Sequence, residues 1–329
     1  LSWVRGTHNL SFGFTFTNVG SWVFSQTMVP GISFGVNSTY DPAYVMFNAT
    51  NGPRNFPGAS TTQISNAAQV YALLTGRVTQ ISGNGVLNET TNKYAYNGPN
   101  VQRGHMREFG LYAADSWRLR PGLSLNYGLR WEVQLPFVPL NDVYTWNTME
   151  DMWGISGVGN LFKPGVQTGR APTYKLYRAG DPAYGTDFKA FAPSLGFAWS
   201  PRFSKGGLAS LLGRQTVLRG GFSVAYNRNG MYEYTSMFGA NPGLTVSATR
   251  NTTNGNLVAA NESWPLLFRD KSRLGPPPFA ETPNYPLQST SISDQVNLFD
   301  PNTRTPYTMS WSFGIQRELS RSTVLEVRY

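Results

Sequence analysis

The stretch that most constrains this chain is Leu123 to Leu135. Leu123, Leu125, Tyr127, Leu129, Trp131, Val133 and Leu135 alternate with Ser124, Asn126, Gly128, Arg130, Glu132 and Gln134. Period two puts every apolar side chain on one face of an extended strand and every polar residue or glycine on the other. A globular strand is typically about five or six residues long, and a tilted strand needs roughly 9–11 to cross a membrane. This run exceeds both. It therefore belongs on a wall with a wide apolar side, which a small soluble sandwich seldom provides.

The same pattern recurs. His8 to Thr17 sets Leu10, Phe12, Phe14 and Phe16 against Asn9, Ser11, Gly13, Thr15 and Thr17. Arg107 to Leu119 aligns Phe109, Leu111, Ala113, Trp117 and Leu119, with Asp115 interrupting that face. Arg120-Pro121-Gly122 then predicts a tight turn, because proline presets φ and glycine accepts a positive φ. Further strands are expected over Ala192–Ser200, Thr216–Tyr226, Tyr307–Gln316 and Thr323–Tyr329.

Between them the connections alternate in length. A tight turn is followed by a long stretch from Pro136 to Ala190, a moderate link from Pro201 to Gln215, and a second long stretch from Asn227 to Thr305. Another tight turn follows at Leu319–Ser322. In an antiparallel series this puts all long loops on one side, the asymmetry of outer-membrane barrels. Residues 18–104 show no such order. Ala67–Ile81 is mildly apolar, and Val70 to Leu74 reads as either a strand end or a short helix.

Composition agrees with this reading. Charged residues are 14%, against the quarter usual in soluble domains, and aromatics are also 14%. No apolar run reaches the length of a membrane-crossing helix. The net charge is +9, but the basic residues are scattered, so nucleic acid is not an expected partner. The absence of cysteine excludes disulfides, thiolate metal sites and a cysteine nucleophile. The chain begins at Leu1 without a leader and ends at Tyr329 inside a strand-like run, so it reads as an internal fragment of one barrel domain spanning 1–329. The alternative is a terminal strand closing on an aromatic.

Little suggests chemistry. His8 and His105 are the two histidines, about a hundred residues apart, and no catalytic or nucleotide-binding motif is present. No enzyme activity, metal or cofactor is expected. Glu150, Asp151 and Asp181 read as solvated loop charge. Gly157-Val158-Gly159 lacks the rest of a dinucleotide fingerprint. If the apolar faces meet lipid, Arg130, Glu132 and Arg219 point into the lumen, where they either contact an inner domain or solute or form structural charge networks. Trp117, Tyr127, Trp131, Trp199 and Trp311 read as an interfacial aromatic girdle or as core packing. The aromatics Trp146, Trp153, Tyr174, Tyr177, Tyr232, Tyr234 and Trp264 lie in the long loops. There they stack on a ligand or on one another.

Several phrases resemble the barrels of TonB-dependent receptors, particularly the Oar-like branch. Tyr112-Ala113-Ala114-Asp115-Ser116-Trp117 followed by Leu123-Ser124-Leu125-Asn126-Tyr127-Gly128-Leu129-Arg130-Trp131-Glu132 is similar to that family's hairpin. Ala192–Trp199, Val217–Phe222 and Phe313–Leu319 continue the likeness, with Ser194 where the family usually has arginine. The resemblance implies an all-β, antiparallel transmembrane barrel of about 22 strands, of which this chain would supply part. It also implies an N-terminal plug, absent here, and TonB as energising partner. The implied function is passage of an unidentified solute, inward or outward, across the outer membrane of a Gram-negative-type bacterium. Two other readings stand beside it: a soluble secreted β-rich module binding carbohydrate or peptide, and a passive or adhesive outer-membrane barrel. In a barrel, Leu123 to Trp131 should line the convex face and Ser124, Asn126, Arg130 and Glu132 the concave one.

Overall fold

The computed structural model describes residues 1–201, 216–228, 230–285 and 295–329. Its main element is one antiparallel sheet of strands in sequential order. The strands are β1 (Ser2–Arg5), β2 (His8–Ser25), β3 (Asn100–Arg120), β4 (Leu123–Gln134), β5 (Phe191–Trp199), β6 (Thr216–Tyr226), β7 (Tyr307–Ser320) and β8 (Thr323–Arg328). A short strand, Val138–Pro139, extends the pairing of β3 beyond the end of β4. The expected strands are all present, but β2 and β3 are longer than their alternation suggested. They reach 18 and 21 residues, because pairing continues through Asn18, Gly20 and Gly104, where no apolar residue marks it. The link at 202–215 lies outside the described residues.

Gly122, in the predicted turn, adopts φ +84°, the left-handed backbone for which glycine has no steric cost. Short turns at Gly6–Thr7, Pro121–Gly122 and Arg321–Ser322 share one side with the link between β5 and β6. The segments 26–99, 135–190 and 227–306 all leave from the other. The first of these long loops was not legible as a loop in the sequence.

The register aligns like with like across the whole sheet. One row of directly paired residues reads Phe14, Leu111, Trp131, Phe191, and further along the sheet Tyr226 pairs with Tyr307. The next row on that face reads Phe12, Ala113, Leu129, Pro193, and beyond it Val224 pairs with Met309. Opposite them lies Ser11, Ala114, Gly128, Ser194, Ser223, Ser310. A one-residue slip anywhere would turn apolar residues to the polar side. The apolar face is uncovered: Phe14 is 61% and Trp311 63% exposed. A hollow of about 520 Å³ on the opposite face is lined from seven successive strands, among them by Ser2, Ser11, Ser116, Asn126, Ser194 and Ser310. Such a hollow fits a concave face. The expected orientation of Leu123–Trp131 and Ser124–Glu132 is the one observed.

The buried core lies elsewhere. The long loops fold together into a cap, whose largest enclosed side chains include Tyr144, Tyr174, Phe137, Ile81, Leu87 and Leu266. Asn84–Leu87 pairs with Tyr94–Tyr96 and with Thr245–Ser247, and Val78–Ser82 pairs with Gly31–Phe34 and Arg250–Asn251. The first and third loops are thus stitched by two small sheets. Helix α1 (Thr61–Thr75) settles the ambiguous Val70–Leu74 as helical. Ser60 and Gln63 cap its start reciprocally and Gly76 ends it at φ +70°. Helix α2 (Met231–Gly239) packs beside β2 and β3. The long loops, expected to be largely irregular, hold these elements because their aromatics find partners only after the segments meet.

Substituting Leu129→Arg puts a charge mid-way along the apolar face and should cost about 2–4 kcal/mol. Ser310→Arg on the concave face should change stability by no more than about 0.5 kcal/mol. Urea unfolding of the full-length protein in lipid vesicles reads both. Equal costs would contradict the assignment of faces.

Candidate functional site

Two surfaces are available for function: the concave wall and the cap above it. On the wall, Arg130 and Glu132 form an ion pair, and Arg130 Nη2 donates to Thr15 Oγ1 at 3.3 Å. Adjacent residues of one parity on one strand thus neutralise each other, and Arg130 is tied across β3 to β2. This is the arrangement of a wall network. Arg219 pairs in register with Ala198 and Gly314, and faces a second hollow of about 390 Å³ together with Gln316, Glu326 and Arg328. It stands well apart from Arg130 along the sheet. The structure therefore brings two of the three lumen candidates together.

The cap meets the wall through β3. Gly104 faces inward, and a Cβ there would fall 2.3 Å from the Phe137 ring, so only glycine lets the cap seat on the strand. Phe137 stacks on Tyr234 and Phe238, with Tyr144, Tyr177, Tyr184 and Phe299 completing the cluster. Ring centroids lie 4.9–6.0 Å apart, the range of favourable aromatic pairing. Burial pushes the hydroxyls of Tyr144, Tyr177 and Tyr184 far above the ordinary phenol range, and that of Tyr285 up to about 12. They serve as neutral packing groups and not as acids.

The loop aromatics divide accordingly. Tyr174 is 1% exposed and its hydroxyl donates to the Gln295 carbonyl at 2.9 Å, so it packs inside the cap and meets no ligand. Tyr177 and Tyr234 belong to the same interior. Trp146 lies against that cluster, with Lys175 Nζ 5.2 Å from its ring centre. Trp153 is half-buried at the end of a short helix, Met149–Trp153. Trp264 stacks on Tyr40 at 5.2 Å, and Tyr40 is exposed. Tyr232 projects from α2 at 79% exposure. Tyr232 and the Tyr40–Trp264 pair are the loop aromatics of this set most open to a ligand. Tyr40 was missed in the sequence, since its partner lies more than two hundred residues away.

Asp151 corrects its reading as solvated charge. It is 1% exposed, accepts from the backbone and hydroxyls of Thr148 and Thr173, and lies 3.3 Å from Arg170. Burial alone would raise its pKa, but those hydrogen bonds favour the ionised form and hold it below the usual carboxylate range. Arg250 organises the third loop by donating to the carbonyls of Asn256, Leu257, Arg273 and Gly275. Among the described residues no cluster of metal-ligating side chains occurs. His8 instead bonds Asp115 at 2.6 Å, and Tyr127 donates to the same carboxylate oxygen at 2.9 Å. The acid that interrupts the apolar face is thereby covered.

A sequence-family model described as outer membrane beta barrel domain matches residues 1–329. The chain belongs to that family. An uncovered apolar face, a polar concave wall and one-sided long loops are what that membership requires, and the protein is located in the outer membrane. The soluble-module reading falls with it, since the apolar strand faces do not meet one another. No curated protein and no solved structure matches the chain.

Phe238→Ala should open the cap at a cost of about 3–5 kcal/mol while leaving the sheet paired. Faster proteolysis of the loops with an unchanged heat-modifiable gel shift would show this. The sign for Asp151 follows from its depressed pKa: its stabilisation is full above the ordinary carboxylate pKa and is lost as pH falls through the lower, folded value. Protease protection of 148–173 should therefore be flat from pH 7 down to about 5 and decline below about 4. Asp151→Asn should abolish that step.

Proposed function

We propose that this barrel domain is part of a TonB-dependent receptor that carries a solute across the outer membrane. The observation that carries this reading is the concave wall. Its paired rows Ser11–Ala114–Gly128–Ser194–Ser223–Ser310 and Asn9–Ser116–Asn126–Gly196–Gly221–Ser312 are built almost entirely from small residues. A wall so smooth leaves room for a folded inner domain, whereas a small closed barrel fills its interior with its own bulky side chains. The resemblance of the Tyr112–Trp117 and Leu123–Glu132 hairpin to Oar-like receptors points the same way. In this reading the plug packs on the small rows, and Arg130, Glu132 and Arg219 hold it or the passing solute. Tyr232, Trp264 and Tyr40 offer the first contacts from outside, and half-buried Trp153 is a further candidate. The chain performs no catalysis and needs no cofactor.

The test compares wild-type cells with cells lacking the gene for this protein and cells lacking TonB. Solutes drawn from a mixed medium are measured by mass spectrometry. A solute whose uptake is lost in both mutants is the expected result. A solute that needs this protein but not TonB would identify a passive barrel instead. Cells that lose only surface attachment would mark an adhesive one.

A further inference from the structure

The outward face of β3 does not end where its apolar column ends. Trp117, Ala113, Leu111 and Phe109 face out, and the next three outward residues are Arg107, His105 and Arg103. Register settles their direction. Pairing with β2 is unbroken from His8–Trp117 to Ser25–Asn100, so no bulge reverses the alternation, and the intervening Gly104 and Met106 meet the cap on the inner side.

Their height follows from strand geometry. From Trp117 to Phe109 the column runs about 26 Å along the strand at roughly 3.3 Å per residue. At a tilt of about 40° this spans some 20 Å of an apolar band about 25 Å tall. Arg107 therefore stands at the upper edge of the hydrocarbon, and His105 and Arg103 at headgroup level. The long loops leave from this end, so the leaflet is the outer one.

The column is poor in counter-charge. Across it on β2 stand Asn18, Gly20 and Trp22, and His105 also faces Val138. Glu89 lies 2.6 Å from Arg103 Nη2, but shares its oxygen with Asn141. Arg103 Nε is buried without an acceptor. Arg107 is exposed and has no charged partner among the described residues. Trp22, 74% exposed, flanks the column as an interfacial aromatic would.

We propose that Arg107, Arg103 and His105 form a binding site for the phosphate of a phosphorylated lipid headgroup in the outer leaflet, with the acyl chains lying against Phe109 and Leu111. Guanidinium donors match phosphate oxygens, and the apolar column below continues directly into the lipid-facing surface.

The experiment uses the full-length protein in detergent micelles, with bound lipid counted by native mass spectrometry. The probes are diphosphoryl lipid A and the same lipid with its phosphates removed. The wild type should retain the phosphorylated form at least ten-fold better. Arg107→Gln should weaken retention roughly five-fold, and adding Arg103→Gln about five-fold more. Arg321→Gln, at the short-turn side, should change nothing. Equal retention of the dephosphorylated lipid, an unaffected Arg107→Gln variant, or the same loss in Arg321→Gln would overturn the proposal. Displacement by excess inorganic phosphate would show a free-anion site in place of a lipid site and would overturn it too. A heat-modifiable gel shift verifies folding. If the double variant does not fold, Arg107→Gln, which touches no carboxylate, carries the test.

Discussion

A strand in lipid has no water to bond, so each of its backbone N–H and C=O groups must pair with a neighbouring strand. The rest of this molecule depends on that constraint. It demands long, continuously registered pairing, and β2 and β3 satisfy it over 18 residues without a break. Continuous register makes alternation inescapable: one side collects Phe14, Leu111, Trp131 and Phe191, the other Thr15, Gly110 and Glu132. The greasy side gains from lipid what a soluble protein gains from its core.

This inverts the usual distribution of packing. The sheet has its apolar residues on the outside, and the enclosed core of the chain lies in the cap, around Phe137, Tyr144, Tyr234 and Phe238. The two are coupled because β2 and β3 overshoot the bilayer. At about 3.3 Å per residue, twenty residues run well past the roughly 9–11 needed to cross, even when tilted. The excess becomes a post on whose inner face the cap is seated, with Gly104 providing the space for Phe137. The outer face of the same post carries Arg103, His105 and Arg107. One strand thus serves the lipid, the cap and the headgroup level through its two faces and its length.

The sequence on its own determined the class of fold, most strands of the main sheet though not β1 or the full length of β2 and β3, and the direction each face takes, because these follow from a period of two and from turn residues such as Pro121-Gly122. It also showed which loops at 136–190 and 227–305 were long. It did not show that 18–104 is a third such loop, that Asp151 is buried, or that Tyr174 is enclosed while Tyr40 and Trp264 form an open pair. Those facts depend on contacts between segments far apart in the chain, such as Thr245–Ser247 on Asn84–Leu87. Local pattern cannot carry them, since an aromatic in a loop has the same neighbours in sequence whether it ends in a core or in water. Alternation is a property of the backbone and is written locally; burial in the cap is a property of three loops meeting, and only the tertiary structure decided it.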